Sequence, residues 1–154
     1  MKSSKPIRRV EALKPLSREH HEGLLLCWKI RTGFKRNIRP ERIKRYADWF
    51  FVNHLIPHFI TEEKYLFPVL DNGHELVKKA LADHRRLKRL FKKENELEKS
   101  LSLIEEELES HIRFEERVLF NEIQKVVTES QLTEIERLHS ETTNTGSWED
   151  KFWE

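Results

Sequence analysis

An all-α four-helix bundle is the fold this sequence predicts, on three observations. Gly and Pro are sparse, at four and five residues, while Leu, Glu, Lys and Arg dominate, the composition of long helices. Apolar residues recur at helical spacing in four long stretches separated by breaker residues. At 154 residues the chain has the size of one domain and can bury a core without disulfide staples.

The first stretch follows an irregular arm through Pro15. Ser17 is placed to cap a helix that begins at Arg18 and turns Leu24, Leu25, Trp28 and Ile30 inward. Gly33 to Pro40 ends it, and Pro40 suits the first turn of a second helix. That helix carries Ile43, Tyr46, Ala47, Phe50, Phe51, Leu55, Ile56, Phe59, Tyr65 and Leu66 at helical spacing, with a kink expected at Pro57.

A break at Pro68 to Gly73 precedes the third helix, whose inner side carries Leu76, Val77, Ala80, Leu81, Leu87, Leu90 and Phe91. Lys92 to Glu98 is read as a turn, because antiparallel neighbours need one. The fourth helix runs through Leu97, Leu101, Ile104, Leu108, Ile112, Leu119, Phe120 and Ile123, and a short amphipathic piece, Gln131 to His139, follows. The bundle thus occupies about 16–127 of a single domain, and 128–154 form an extension. Trp148, Phe152 and Trp153 in its polar tail are expected to dock on the bundle of their own chain; the oligomeric state is left open.

Charge and cysteine content narrow the function classes. Lys plus Arg number 29 and Asp plus Glu 27, for a formal net charge of +2, and the two signs are interleaved, which argues against a nucleic-acid partner. The basic run from Lys78 through Lys93 is broken by leucines and reads as a solvated helix face. A lone Cys27 amid leucines rules out an intramolecular disulfide, suits a reducing compartment and reads as a buried small hydrophobe. No apolar run approaches membrane-spanning length and Met1 to Arg9 lacks the apolar core of a signal peptide, so no membrane partner and a cytoplasmic location are expected.

The informative feature is a near-repeat. His58-x-x-x-Glu62-Glu63, with Leu66 and Phe67 after it, is matched by His111-x-x-x-Glu115-Glu116, with Leu119 and Phe120 after it. A histidine and a glutamate four apart stack on one helix face, with Cβ atoms roughly 6 Å apart. Leu55, Leu66, Leu108 and Leu119 share that stripe and turn it toward the core, where an imidazole and a carboxylate lose hydration unless paired or bound to metal. His20 or His21 from the first helix and His84 from the third complete a candidate set of His20 (or His21), His58, Glu62, His84, His111 and Glu115. Four imidazoles and two carboxylates suit iron, manganese or zinc better than magnesium or calcium, and two divalent ions are only half neutralised by them.

The order His, His-x-x-x-Glu-Glu, His, His-x-x-x-Glu-Glu resembles the hemerythrin-like, or HHE cation-binding, domain over Leu16 to about Val127. Arg18-Glu19-His20-His21, His58 through Pro68 and Asp83-His84-Arg85 carry the local likeness. The resemblance implies an up-down-up-down bundle with a non-haem di-iron centre, Glu62 and Glu115 bridging, histidines terminal, and zinc or manganese as substitutes for the two iron ions. It favours His20 over His21. It also implies a small ligand such as oxygen, nitric oxide or peroxide, held for sensing, storage or redox and iron protection. A binding protein is expected before an enzyme; a di-iron oxidase, peroxidase or nitrosative-stress repair protein, and a helical interaction module with incidental histidines, are the alternatives. Oxygen-carrying relatives have a second histidine one turn from the first on the third helix, where Ala80 and Lys88 flank His84 here. His54 is either a support or extra ligand or an edge histidine, His74 and His139 belong to the surface, and Glu63 and Glu116 are expected in solvent or on Arg or Lys. Trp49 and Tyr65 are expected to pack.

Overall fold

A computed structural model describes residues 8–138 and 147–154, with the backbone alone of 139 and 140. The side chain of His139 and the Thr/Asn/Gly segment 141–146 lie outside the described residues, as does most of the basic start of the chain. The described residues are helical, with no strand among them. The helices are α1 (Lys14–Lys35), α2 (Pro40–Phe50), α3 (Ile56–Thr61), α4 (Glu75–Phe91), α5 (Leu97–Phe114), α6 (Phe120–Val126) and α7 (Glu129–Ser140). Helical turns join α2 to α3 and α5 to α6, so 40–66 and 97–126 are each one continuous rod. Among the described residues no helix is long and apolar enough to cross a membrane.

The first helix starts a turn earlier than its Ser17 cap predicts. It begins at Lys14 with Pro15 in its first turn, where the missing N–H costs nothing, and Leu13 and Leu16, both fully buried, fix that start by packing. The inward stripe also differs: Leu16, His20, Gly23, Leu26, Cys27 and Ile30 face in, whereas Trp28 is 47% exposed. The run of three leucines hid the true phase. Gly23 sits in this stripe because α1 approaches α5 there, and a Cβ would lie 2.7 Å from the Ile112 side chain.

Pro40 opens α2 as expected. The kink expected at Pro57 takes the form of a change in helical register: a π turn at Phe51–Leu55, closed by the Ile56 N–H on the Phe51 carbonyl, immediately precedes it. His74 is more than a surface residue, since its Nδ1 caps α4 by accepting the Leu76 N–H at 3.1 Å. The turn after α4 lies where expected, with Glu96 at φ 50° before α5.

Two apolar clusters flank a polar layer. One holds Leu26, Ile30, Ile43, Phe50, Leu101, Ile104 and Phe152 among others; the other holds Leu13, Leu16, Leu66, Leu119, Ile123 and Ile135. Cys27 is buried in the first and its thiol is pushed up to about 12 by that burial, which leaves it inert.

The tail docks on its own chain. Trp148 and Trp153 pack against Tyr46 with ring centroids 5.8 and 5.0 Å away. The Lys29 ammonium lies 4.0 Å from the Trp153 ring centroid, and the Arg42 guanidinium grips Asp150 with two N–H donors at 3.0 and 2.6 Å. Phe152 is 3% exposed and reaches the space above Gly33, where a Cβ would lie 3.0 Å from its ring. Phe152→Ala is expected to destabilise the fold by about 3 kcal/mol through the lost burial and the cavity left behind, measurable by urea denaturation of the metal-free protein.

Candidate metal centre

Six buried side chains meet between the two apolar clusters. His20, His58, Glu62, His84, His111 and Glu115 are each 4% exposed or less. They come from α1, from the rod 40–66, from α4 and from the rod 97–126. The near-repeat is structural as well as sequential, because both glutamates open a π turn, at Glu62–Leu66 and Glu115–Leu119. The Phe67 N–H closes the first on the Glu62 carbonyl and the Phe120 N–H closes the second on that of Glu115, an arrangement that recurs at functional sites.

Each carboxylate spans two histidine pairs. Glu62 sends Oε2 toward His58 Nε2 at 3.1 Å and His20 Nε2 at 3.5 Å, and Oε1 toward His84 Nε2 at 3.1 Å. Glu115 sends Oε1 toward His20 Nε2 at 2.8 Å and Oε2 toward His111 Nε2 at 3.3 Å. Two four-residue groups result, His20, His58, Glu62, Glu115 and Glu62, His84, His111, Glu115; within each, one donor atom per residue lies within 4.8 Å of all the others. Either group could hold a metal ion, and the two share both glutamates.

The decisive feature is what these atoms lack. His58 Nε2, His84 Nε2, His111 Nε2, both oxygens of Glu62 and Glu115 Oε2 are buried with no hydrogen-bond partner. Their mutual contacts are close but do not have hydrogen-bond geometry. Buried polar atoms are nearly always satisfied, so six orphans aimed at one place fit a cation, and this donor set fits iron, manganese or zinc. Among the four central imidazoles, His20 alone has an Nε2 with a hydrogen-bonding partner, Glu115 Oε1 at 2.8 Å.

The Hemerythrin HHE cation binding domain model matches residues 11–93, more than half of the chain. The chain belongs to the hemerythrin HHE cation-binding domain family. The match covers α1 to α4, and with them His20, His58, Glu62 and His84, but stops short of His111 and Glu115, whose place in the centre rests on geometry. A search of curated proteins and one of solved structures returned no match.

Helical phase separates the two candidates of the first helix: His20 is 3% exposed and lies among the central side chains, and His21 is exposed. His21→Ala is expected to leave metal content unchanged, whereas His20→Ala should lower it; atomic absorption on both variants checks this. His54 belongs to neither four-residue group. It is half-buried against Trp49 and Phe50, with centroids 5.1 and 4.9 Å away.

Glu63 departs from expectation, and Glu116 pairs with Arg9 as expected but also reaches a central histidine. Glu63 accepts from His84 Nδ1 at 2.6 Å, and Glu116, which also meets Arg9, accepts from His20 Nδ1 at 2.6 Å. Glu19 and Asp83 do the same for His58 and His111, at 2.7 and 2.9 Å. Sequence reasoning missed these partners, though each sits beside a central donor in the chain. With Nδ1 donating its proton outward, the Nε2 atoms of His58, His84 and His111 face the centre without a partner, each able to offer a lone pair to a cation once unprotonated.

Without a cation the cluster balances itself with protons. Burial pulls the His58 imidazolium down, but the Glu62 charge and the Glu19 hydrogen bond outweigh it and lift the group to about 9. His111 is likewise pulled down by burial and carried to about 10 by Glu115 and Asp83. Burial alone would raise Glu62, and the surrounding histidines hold it well below the usual carboxylate range.

Beside the cluster lies a cavity of about 10 Å³. His20, His58 and His111 line it together with Phe50, His54 and Leu108. That is room for about one water molecule.

Proposed function

We propose that the chain is a non-haem di-iron protein that binds a small ligand, oxygen, nitric oxide or peroxide, for sensing, storage or redox and iron protection. Glu62 and Glu115, common to both four-residue groups, would be shared between the two ions, with His20 and His58 holding one and His84 and His111 the other. The observation that carries this reading is the set of six buried, partnerless nitrogen and oxygen atoms at the meeting point of four helical stretches. Zinc or manganese can take the same donors. The reading includes an up-down-up-down four-helix arrangement of a single domain, and a cytoplasmic setting suited to the lone buried Cys27.

Two adjacent irons, when bound, supply the electrons and open positions for a diatomic species. The protein's own contribution is positional. Each bridging carboxylate spends one oxygen on each histidine pair, the outer carboxylates fix the imidazole tautomers, and Phe50, Leu55, Phe59 and Leu108 around the cavity keep bulk water away. A cavity with room for about one water supports a diatomic or peroxide ligand over a larger organic substrate. Metal analysis of protein purified without a metal-affinity tag should give two irons per chain. Anaerobic reduction followed by oxygen addition should then give a stable, reversible absorption band; sustained multiple turnover would favour an oxidase or peroxidase instead, and absence of iron would refute the reading.

A further inference from the structure

The outer carboxylates close a ring around the centre. Glu19 of α1 takes the Nδ1 proton side of His58 on the rod 40–66, Glu63 of that rod takes His84 on α4, Asp83 of α4 takes His111 on the rod 97–126, and Glu116 of that rod returns to His20 on α1. Every stretch thus supports the next one's histidine and is supported by the one before.

A helical rule generates the ring. Each supporting carboxylate is the chain neighbour of a central donor, and neighbours on a helix point about 100° apart, so one faces the centre while the other faces the seam with an adjacent rod. Glu19 and Asp83 precede their central neighbours His20 and His84, whereas Glu63 and Glu116 follow Glu62 and Glu115. Alternating before and after keeps one rotational sense around the centre when successive rods run in opposite directions.

The ring carries charge as well as geometry. Its side chains are 41%, 34%, 28% and 29% exposed for Glu19, Glu63, Asp83 and Glu116, so each keeps contact with solvent while touching an imidazole. Arg9 on Glu116 at 3.3 Å and Lys79 on Asp83 at 2.9 Å offset part of it. Two glutamates alone leave two divalent ions with an excess of positive charge. Four further carboxylates answer that excess, and accepting each Nδ1 proton makes Nε2 a stronger donor.

We propose that this closed ring of Glu19, Glu63, Asp83 and Glu116 sets the oxidation state of the centre, favouring the trivalent ions and lowering their reduction potential. The proposal rests on the di-iron reading above. Net charge and hydrogen bonds to the ligands are among the levers that tune the potential of protein-bound iron. The four carboxylates are positioning residues, acting through the histidines they hold.

The test is a redox titration of the iron-loaded full chain, with dithionite as reductant and ferricyanide as oxidant. Glu63→Gln and Asp83→Asn, singly and together, keep an oxygen to accept the Nδ1 proton but remove the charge. Glu105→Gln, which breaks a remote ion pair with Arg31, is the control. Each ring variant should keep two irons and shift the ferric/ferrous equilibrium about tenfold toward ferrous, a rise of about 59 mV per one-electron step. The control should not move. Two irons with an unmoved potential overturns the ring proposal alone. Loss of iron from both single variants also overturns it, by assigning the carboxylates to metal retention. Wild-type protein that takes up fewer than two irons overturns the di-iron reading beneath it.

Discussion

Glu62→Ala is expected to abolish metal uptake at both positions, while His58→Ala should cost only one. Glu62 belongs to both four-residue groups, and its two oxygens face different histidine pairs. Removing it takes a bridging anion from each proposed ion. His58 belongs to one group only, so the pair His84 and His111 keeps its donors. Metal per chain should fall from two to near zero for Glu62→Ala and to about one for His58→Ala. The metal-free protein should weaken too, because Glu62 is the buried counter-charge of His58, His20 and His84; breaking a buried pair by removing one partner costs about 3–5 kcal/mol. Plasma emission analysis and urea denaturation read the two effects separately. Undiminished metal in Glu62→Ala would refute its bridging role.

What could be read in advance divides along a physical line. The glutamates and histidines of the near-repeat were legible because a four-residue spacing on an apolar stripe fixes direction with no knowledge of neighbours. His20 against His21 was not, since Leu24, Leu25 and Leu26 offer an apolar face to either phase, and packing against α5 at Gly23 selects one. The π turns at Glu62 and Glu115 left no composition signal; they show only as the recurrence of Glu, Leu and Phe at matching places. Glu19, Glu63, Asp83 and Glu116 were invisible as supports because each serves a histidine on a different rod. Contacts of that kind depend on how rods are set side by side, whereas a sequence displays one rod at a time. Trp28 and the helix start at Lys14 were misjudged for a related cause: local apolar and capping signals yielded to burial of Leu13 and Leu16 against residues far along the chain.

The stabilisation gained from metal is expected to grow as pH rises. In the metal-free protein His58 and His111 titrate at about 9 and about 10, against roughly 6.5 for an unfolded histidine. A folded-state pKa above the unfolded one gives stability that is complete below about pH 6.5 and disappears as pH climbs through 9 and 10. Glu62 has the opposite sign: its lowered pKa contributes above the ordinary carboxylate range and is lost in acid as the folded-state value is passed. The metal-free chain should therefore be steadiest at mildly acidic pH and soften on the alkaline side. A metal ion requires the Nε2 atoms unprotonated, so binding expels the protons that those histidines hold and tightens as pH increases. At a thousandfold excess over the dissociation constant, bound metal adds about 4 kcal/mol, or roughly 8–16 °C in Tm for a domain of this size. Thermal scans with zinc or with a chelator, at about pH 6 and about pH 9, should show a wider gap at the higher pH, because the metal-free curve falls there while the loaded one holds. An equal gap at both would mean that the imidazoles of the cluster are not where the cation binds.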